Sequence, residues 1–475
     1  MAEESVESAI PARLDRLPWS GWHRRVIVAL GVAWALDGLE VTIVGSVASV
    51  LSEPSTLALR ESEIGAAASA YLAGAISGAL VFGRLADAWG RKRLFMITLS
   101  LYLAASSLTA ASFDFWSFAI CRFFTGAGIG GEYSAINSAI DELLPARLRG
   151  RVDLGINATY WLGAALGALL SLVLLNPRIL PYAYGWRVCF GLGALLGVAI
   201  LLVRRHVPES PRWLLLHGRF EDAEKTMRAI ERQVEATSGE PLLPPSSSGV
   251  RRLQARGTAT YSRVLDVFLR SHLRRTFLGL TLMSTQAFAY NAVFFTYALV
   301  LARFYGVLPE SVGFHVLVLA FGNLLGPWLL GGLFDTWGRR VMITATYGAS
   351  ATLMALTAYA FARGWLTAWA QTLSWGAVFF FASAAASSAY LTVSELFPVE
   401  LRGLAIAVFF ALGTAVGGLF APWWFGSLVE SGERLNVCKG YLGGAALMGS
   451  AALVAFRFAV AAEGKSLEEL SEQMR

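Results

Sequence analysis

The sequence predicts an all-α membrane protein with twelve transmembrane helices in two pseudo-symmetric bundles of six. Of its 475 residues, 56% are hydrophobic and 15% are charged, whereas a soluble domain carries about 25% charged residues. The apolar residues form blocks long enough to cross about 30 Å of hydrocarbon. Two motifs also recur half a chain apart: GRLADAWGRK at 83–92 returns as GGLFDTWGRR at 331–340, and ELLPARLRG at 142–150 returns as ELFPVELRG at 395–403. Repeats at such a spacing indicate two related halves.

The apolar blocks place the twelve helices along the chain. Their approximate bounds are 25–51, 62–84, 93–111, 115–139, 152–175, 186–203, 276–300, 311–334, 341–361, 365–392, 404–428 and 440–459. Between the sixth and the seventh lie the amphipathic run RFEDAEKTMRAIERQ and the Pro/Ser-rich GEPLLPPSSSG, whose composition is typical of disordered chain. We therefore expect a six-helix domain at 1–203, a cytoplasmic linker at 204–275, and a second six-helix domain with a short tail at 276–475.

The distribution of basic residues predicts the orientation. One set of loops holds most of the arginine and lysine, and the opposite loops hold far fewer. Cytoplasmic loops carry the excess of these residues, so both termini should be cytoplasmic in a multi-pass protein of the plasma or inner membrane. The basic set includes Arg91, Lys92, Arg93, Arg147, Arg149, Arg151, Arg339, Arg340 and Arg402. These loops account for the net charge of +6, and we expect the lipid bilayer rather than nucleic acid as a partner.

The sequence lacks the residue patterns that catalysis, metal binding and disulfide frameworks require. The five histidines do not cluster at metal-ligand spacing, and no nucleophile–base motif is visible. We therefore expect no enzyme, no metal site and no cofactor. The three cysteines, Cys121, Cys189 and Cys438, are odd in number and scattered, so no disulfide framework is implied.

Charged residues inside the predicted helices point to proton coupling. Asp37 and Glu40 lie in the first helix and Arg122 in the fourth. A charge at mid-bilayer costs about 2.5–3.5 kcal/mol even on the insertion scale, so such residues usually have a function. Asp37 and Glu40 are three residues apart and lie on one helical face, where they can share Arg122 or a proton. The alternative is that Arg122 lies near a helix end and forms a purely structural pair.

Several motifs together resemble one family. The stretch at 83–93 resembles the signature loop of the major facilitator superfamily, and 331–340 is its degenerate copy. RFFTG at 122–126, the two repeats that begin with EL, and PESPRWL at 208–214 resemble the sugar-porter-like and metabolite-symporter branches. The resemblance covers essentially the whole chain. It implies a transporter whose cytoplasmic loops form a latch between conformational states. The latch residues would be Asp87, Arg91, Glu142, Arg149, Arg212, Asp335, Arg339, Glu395 and Arg402.

The duplicated motif also predicts how a cytoplasmic gate closes. Both copies lie at the cytoplasmic ends of equivalent helices. Glu142 would pair with Arg402, and Glu395 would pair with Arg149, so that the two halves are clamped together. Interfacial anchoring is the alternative, and it explains the arginines but not the glutamates. For the stretch at 208–214 the alternative is a simple charged cap on the sixth helix.

Candidate solute contacts lie in four of the predicted helices. They are Glu132, Tyr160, Trp161, Gln286, Asn291 and Tyr390. Gln286 and Asn291 resemble the amide-rich stretch with which sugar porters bind hydroxyl groups. Tyr390, however, stands where that branch usually has tryptophan. The N-terminal RLDRLPW and the LDGLE stretch are closer to the nicotinate-transporter and synaptic-vesicle-glycoprotein-like branch, which favours a small organic acid or related metabolite over a hexose. For Glu132, a position at the membrane interface is the alternative.

We therefore predict a monomeric secondary transporter that takes up a small organic solute with protons by alternating access. A uniporter or sugar porter of the same fold remains open, as does a nutrient sensor that does not transport, although such sensors usually carry a long cytoplasmic tail. A drug–proton antiporter is disfavoured because the fifth helix reads LGAALGALLSLVLL, without the proline break typical of that branch.

Overall fold

The first half of the chain contains one short helix and six long ones. The computed structural model describes residues 5–48, 50–204, 208–238, 242, 251–254, 261–396 and 402–459. The helices of the first half are α1 (Ile10–Asp15), α2 (Gly21–Val47), α3 (Glu61–Trp89), α4 (Arg91–Ala110), α5 (Phe115–Leu143), α6 (Ala146–Leu174) and α7 (Tyr182–Arg204). The helices from α2 to α7 match the first six predicted helices in order.

The linker between the halves carries shorter elements. They are α8 (Pro211–Leu216), α9 (Phe220–Ser238), and α10 (Tyr261–Asp266), which continues as a π-helical turn over Val267–Ser271. The predicted amphipathic run is α9, which buries Met227, Ile230 and Val234. A strand β1 (Ser5–Ser8) pairs antiparallel with β2 (Arg251–Gln254) and joins the N-terminal segment to the linker. The Pro/Ser-rich segment, apart from Leu242, lies outside the described residues.

The second half again provides six spans, two of them broken. Its helices are α11 (Leu273–Phe294), α12 (Tyr297–Tyr305), α13 (Pro309–Thr336), α14 (Arg339–Ala362), α15 (Ala368–Leu396), α16 (Arg402–Gly413), α17 (Ala421–Glu430) and α18 (Arg434–Phe458). The seventh predicted helix bends by 42° between α11 and α12. The eleventh is interrupted between α16 and α17 by a π-helical turn over Thr414–Gly418. Broken helices are tolerated within a membrane where they are buried in protein or line a cavity.

Length and composition together agree with nine of the twelve predicted spans, and length alone agrees with the other three. Among the described residues, eight helices are long and apolar enough to cross a membrane, and the bent pair α11–α12 would add a ninth. The helices α5, α6 and α7, of 29, 29 and 23 residues, complete the set. Several predicted ends are wrong: α3 runs to Trp89 rather than to 84, and α6 begins at Ala146 rather than at 152. Hydropathy marks where an apolar block ends, whereas backbone hydrogen bonds continue through the polar turns beyond it.

Equivalent helices make equivalent contacts in the two halves. α3 packs on α5 as α13 packs on α15, and α4 packs on α7 as α14 packs on α18. Between the halves, α6 packs on α13, and α3 packs on α16 and α17. These contacts follow the pseudo-symmetry that the repeats predict. We call the side on which α8 and α9 lie the linker face, and the opposite side the far face.

Glycines bring the helices of the first half close together. A Cβ on Gly74 of α3 would overlap the Phe123 carbonyl of α5, and one on Gly126 of α5 would overlap the Tyr71 carbonyl of α3. Small residues of this kind allow membrane helices to approach backbone to backbone. The contact fixes α5, and with it Arg122, deep inside the first half.

Candidate functional site

A cavity of about 170 Å³ lies between the two halves. We call it the central cavity. Its large lining side chains are mostly aromatic. They include Trp34, Tyr71, Tyr133, Tyr160, Trp161, Tyr290, Tyr390 and Phe410. Of the predicted solute contacts, Tyr160, Trp161, Gln286, Asn291 and Tyr390 line this cavity. Residues far apart in the sequence therefore meet at one place.

The aromatic rings of the central cavity join the two halves. Tyr133 of α5 stacks on Phe410 of α16, with ring centroids 4.7 Å apart and planes 24° apart. Trp34 meets Tyr133 edge-on at 4.3 Å. Elsewhere in the cavity, the ring centroid of Trp161 lies 5.5 Å from that of Tyr290, with a tilt of 31°. Aromatic faces in such arrangements suit another planar or apolar ring.

The polar groups of the cavity are amides and hydroxyls. Gln286 Nε2 donates a hydrogen bond to the Tyr390 hydroxyl at 3.4 Å. Asn291 Nδ2 donates to the Ala287 carbonyl at 2.7 Å, so this amide is oriented by its own helix. The Tyr290 hydroxyl donates to Asn323 Oδ1 at 2.6 Å. Among the described residues that line the cavity, none carries a charged side chain. The cavity therefore offers hydrogen bonds without a fixed charge.

Next to the cavity, Arg122 and Glu40 form a buried ion pair. Arg122 NH2 lies 2.6 Å from Glu40 Oε1, and the two side chains are 1% and 0% exposed. The second carboxylate oxygen, Glu40 Oε2, accepts hydrogen bonds from Ser106 Oγ at 3.0 Å and from the Tyr102 hydroxyl at 3.3 Å. A buried charge is tolerated when it is paired and hydrogen-bonded in this way. The pair is close to the cavity because the guanidinium carbon of Arg122 lies 5.9 Å from the ring of Tyr71, which lines it.

The two other predicted acidic residues are also buried. Asp37 is 2% exposed and lies one turn from Glu40 on α2. Glu132 is 1% exposed. Glu132 does not line the central cavity, whereas its neighbour Tyr133 does. Solute contact by Glu132 stays a prediction.

At the linker face, Glu209 caps the N-terminus of α4. Its carboxylate accepts hydrogen bonds from the backbone N–H groups of Arg91 at 2.9 Å and Lys92 at 3.2 Å. A carboxylate at this position satisfies unpaired donors and complements the helix dipole. The chain enters α4 through Gly90, with φ 94° and ψ 155°, a conformation found essentially only for glycine. The stretch at 83–93 is thus not the expected loop, because Gly90 alone separates α3 from α4.

The motif PESPRWL at 208–214 connects separate elements of the linker face. Besides the cap by Glu209, Arg212 NH2 donates to Asp15 Oδ1 of α1 at 3.3 Å. Within the signature stretch, Arg91 NH1 donates to the Ala86 carbonyl at 2.6 Å. This hydrogen bond ties the first turn of α4 back to the last turn of α3.

The N-terminal segment is anchored on α9. Arg13 forms ion pairs with Glu224 and Glu231 at 2.7 and 2.5 Å, and Arg16 pairs with Glu231 at 2.6 Å. Burial by itself raises the pKa of Glu231, but the hydrogen bonds from Arg13 and Arg16 outweigh it and hold the pKa below its ordinary value of 4.5. Leu14, which is fully buried, adds apolar contact. The segment RLDRLPW is thus part of the folded protein.

The predicted latch residues are described only in part. Arg91, Arg212 and Arg339 are 8%, 8% and 6% exposed, so all three are buried at the linker face. The other predicted latch side chains lie outside the described residues. They are Asp87, Glu142, Arg149, Asp335, Glu395 and Arg402. The pairing of Glu142 with Arg402, and of Glu395 with Arg149, therefore stays a prediction.

Sequence reasoning missed several residues that the fold brings to these sites. Tyr102 and Ser106 contact Glu40 from α4, and their spacing of four residues was the available signal for a shared helix face. Trp34 and Tyr133 also line the cavity, and the available signal was their position close to the predicted acids Asp37 and Glu132 in the sequence. Glu209 was visible in its motif, but its target, the start of α4, is more than a hundred residues away in the chain.

A family model described as sugar (and other) transporter matches residues 31–474. The niacin transporter NiaP of Acinetobacter baylyi is 25% identical over 413 residues, which cover 86% of this chain and 88% of that protein. Plastidic glucose transporter 4 of Arabidopsis thaliana is 27% identical over 98% of this chain and 82% of its own length. The putative metabolite transport protein YdjK of Escherichia coli is 33% identical, but over only 51% of this chain and 52% of its own length.

Solved structures share the fold over nearly the whole chain. The proton:xylose symporter XylE bound to 6-bromo-6-deoxy-D-glucose has a TM-score of 0.76 at 22% identity, and the match covers 95% of this chain and 99% of that chain. An inward open conformation of the xylose transporter XylE from E. coli has a TM-score of 0.69 at 20% identity, over 95% of this chain and 99% of that one.

Proposed function

Because the chain belongs to the sugar (and other) transporter family of the major facilitator superfamily, we propose that it is a proton-coupled symporter for a small organic acid with a single ring. Like its relatives it is a membrane transporter and not an enzyme. One observation carries the proposal: the buried Glu40–Arg122 pair lies beside an aromatic cavity that both halves line. The pair can exchange a proton, and the cavity can hold the solute that moves with it.

The size and lining of the central cavity support a single-ring acid. An apolar cavity of about 150 Å³ holds one benzene molecule, and the central cavity has about 170 Å³. The faces of Trp161 and Tyr133 suit a planar ring, and Gln286, Asn291 and Tyr390 supply hydrogen bonds for a carboxylate. Since the described lining carries no cation, the co-transported proton would compensate the charge of the acid. The relative NiaP is described as a transporter of niacin, itself a single-ring acid.

Proton coupling would work through the ion pair. Charged Glu40 binds Arg122 and so ties α2 to α5. Protonation of Glu40 removes that charge and weakens the tie, because a neutral carboxyl attracts the guanidinium much less. The two six-helix units, residues 1–203 and 276–475, would then rock about the central cavity and expose it to the other side. Asp37, one turn away on α2, is a second acid that can share the proton.

We place the linker face in the cytoplasm of a plasma or inner membrane. The support comes from the basic residues at the linker-face ends of the helices, among them Arg91, Lys92 and Arg339, because cytoplasmic loops carry the excess of such residues. Uptake of the acid from outside would then follow the inward proton gradient.

A sugar porter is the second candidate. The amides of Gln286 and Asn291 line the central cavity and can both donate and accept hydrogen bonds, as a polyhydroxylated solute requires. The plant relative is described as a glucose transporter. A uniporter of either solute would use the same cavity without proton exchange at Glu40.

Uptake into proteoliposomes separates these candidates. Purified protein would be given labelled nicotinate, benzoate or glucose, with and without an acidic outside. We expect nicotinate or benzoate to accumulate above equilibrium only when the outside is acidic. Glucose uptake without acid uptake would overturn the organic-acid proposal.

The variant Glu40→Gln tests the coupling itself. It should lose accumulation against the gradient but keep counterflow exchange, because the cavity is intact while the titrating group is gone. Glu310→Gln, which changes an acid in the first turn of α13, is the matched control and should behave as wild type. If Glu40→Gln still accumulates solute, coupling does not run through Glu40.

A further inference from the structure

A second cavity of about 70 Å³ lies nearer the far face. We call it the outer cavity. Val44 and Gly45 of α2 line it, and both follow Val41, which lines the central cavity. The opposite wall comes from α17 of the second half. Phe295, at the bend between α11 and α12, lines both cavities. The outer cavity is therefore the space that a solute from the far face meets before the central cavity.

Arg122 lines the outer cavity, and part of its guanidinium has no hydrogen-bond partner among the described residues. The side chain is 1% exposed and lines the outer cavity. While NH2 bonds to Glu40, Nε and NH1 are buried and have no hydrogen-bond partner among the described residues. The rings of Phe190 and Tyr71 lie 5.0 and 5.9 Å from the guanidinium carbon and stabilise its charge, but they leave these N–H groups unsatisfied. Buried donors of a charged group that lack a partner are costly, which points to a ligand.

We propose that the outer cavity is an anion site in which Arg122 binds the carboxylate of a small acid. A guanidinium presents its N–H donors in a planar fork that matches a carboxylate. A cavity of about 70 Å³ corresponds to roughly two waters at about 30 Å³ each. That space holds a carboxylate with a short chain but not a whole ring. A larger acid would leave its ring near Trp423, which is 57% exposed and also lines the outer cavity.

The proposed anion site depends on the proposed function in one respect, namely that the transported solute is an acid. Its place on the route gives it a role, since it would capture the anion before the central cavity receives it. Because the same guanidinium holds Glu40, a carboxylate on NH1 would share Arg122 with the group that exchanges the proton. Capture of the acid and coupling would thus meet on one residue.

Two other lining residues supply variants that leave Arg122 in place. Gly426 of α17 lines the outer cavity, and a Cβ there would meet nothing within 4 Å, so Gly426→Leu should fill the space. Gly443 of α18 is a matched control, because its Cβ would also meet nothing within 4 Å and it lines neither cavity. Glu430 also lines the outer cavity, and as a like charge it should weaken anion binding.

The test is acetate binding to the purified full-length protein in lipid nanodiscs, followed by saturation-transfer NMR. We expect the acetate dissociation constant to rise about tenfold in Gly426→Leu, to stay unchanged in Gly443→Leu, and to fall about threefold in Glu430→Gln. Nicotinate should displace acetate, whereas acetamide, nicotinamide and chloride should not. No acetate binding to the wild type, equal binding in Gly426→Leu, or equal displacement by acetamide or chloride would each overturn the proposal.

Two further comparisons allow the binding experiment to be interpreted if a variant does not fold or if no transport is found. If Gly426→Leu does not fold, Gly426→Ala and Glu430→Gln test the same site with smaller changes and opposite expected shifts. If Gly426→Leu weakens acetate binding but no ring acid is transported, the outer site is supported and only the proposed function fails. Transport of nicotinate without acetate binding would overturn the outer site alone.

Discussion

At the scale of single residues, the buried ion pair explains how two charges are tolerated inside the first half. Glu40 and Arg122 would each be costly alone inside the bilayer, and removal of one partner of a buried pair typically costs about 3–5 kcal/mol. Tyr102 and Ser106 reduce the cost further by hydrogen bonds to Glu40. The ion pair therefore ties α2 to α5, and the proposed protonation of Glu40 would weaken that tie.

Trp161 provides a residue-scale prediction for solute binding. It is 8% exposed and lines the central cavity. Loss of an aromatic contact with the solute should cost about 0.5–1.5 kcal/mol, so Trp161→Ala should raise the KM for uptake roughly 2- to 12-fold. Trp328→Ala is the control, because Trp328 is 71% exposed on α13 and should leave KM unchanged. An unaltered KM in Trp161→Ala would remove this side chain from the proposed site.

At the scale of elements, the junction of α3 and α4 depends on one glycine and one distant carboxylate. A Cβ on Gly90 would lie 2.5 Å from Glu209 Oε2, so the helix cap and the backbone turn require each other. Since Glu209 belongs to the linker, it fixes the position of α4 relative to α8. The signature stretch is thus a joint between helices and the linker.

Gly90→Ala should therefore destabilise the protein more than Gly218→Ala does. Both glycines have positive φ, at 94° and 71°, but only at Gly90 would a Cβ collide with another residue. We expect strain of about 1–3 kcal/mol for Gly90→Ala, seen as a lower Tm in detergent. In a Glu209→Ala background the difference between the two glycine variants should shrink, because the colliding carboxylate is gone. An unchanged difference would show that Glu209 is not its cause.

The contact of α1 with α9 should depend on pH. The pKa of Glu231 is lowered below 4.5 in the folded protein. A lowered folded pKa stabilises the fold above the unfolded value, and this stabilisation is lost as pH falls through the folded value. Hydrogen exchange in α1, corrected for the intrinsic rate, should therefore rise as the pH falls below about 4.5.

Variants of α9 test whether Glu231 causes that pH dependence. Glu231→Gln should raise exchange in α1 already at neutral pH and remove most of the rise at low pH, since the paired charge is absent throughout. Glu221→Gln changes an exposed acid in the first turn of α9 and should retain the wild-type profile. The same rise in Glu231→Gln and wild type would exclude the Arg13–Glu231 pair as its source.

At the scale of the whole molecule, two pseudo-symmetric halves meet around the central cavity. α6 packs on α13 and α3 packs on α16 and α17, so each contact surface has an equivalent in the other half. Such an arrangement allows one half to rock against the other around a fixed site. The sequence predicts that the duplicated motifs at 142–150 and 395–403 lie at equivalent helix ends of the two halves, where contact between them would close the linker face.

Charge reversal tests whether these motifs form a gate. Glu142→Arg should impair uptake, because a like charge would face Arg402, and adding Arg402→Glu should partly restore it. Each partly wet pair contributes only about 0.2–1 kcal/mol, so the expected loss in rate is a few-fold. Glu142→Arg combined with Arg457→Glu, which changes a basic residue in the last turn of α18, should give no rescue. Equal uptake in the two double variants would contradict the cross-pairing.

The sequence predicted the number and order of the helices well and their ends less well. Apolar blocks and repeats can be read directly from the chain, so they predict helices without knowledge of the contacts between them. Helix ends at the linker face depend on partners such as Glu209, which hydropathy does not contain. The breaks at Phe295 and at Thr414–Gly418 were missed for a similar reason, because the surrounding residues are apolar on both sides.

The sequence by itself determined that this is a helical membrane protein built from two related halves, because apolar blocks and repeats can be read from the chain directly. It also placed two acids and an arginine within predicted spans, where the cost of a buried charge indicates a function. Only the tertiary structure decided that Arg122 bonds to Glu40, that aromatic residues of both halves enclose one cavity, and that Arg122 also reaches a second one. Which buried groups pair with each other depends on the distances between helices. Those distances are set by packing between helices, such as the glycine contacts of α3 with α5, and the sequence of one helix does not determine them.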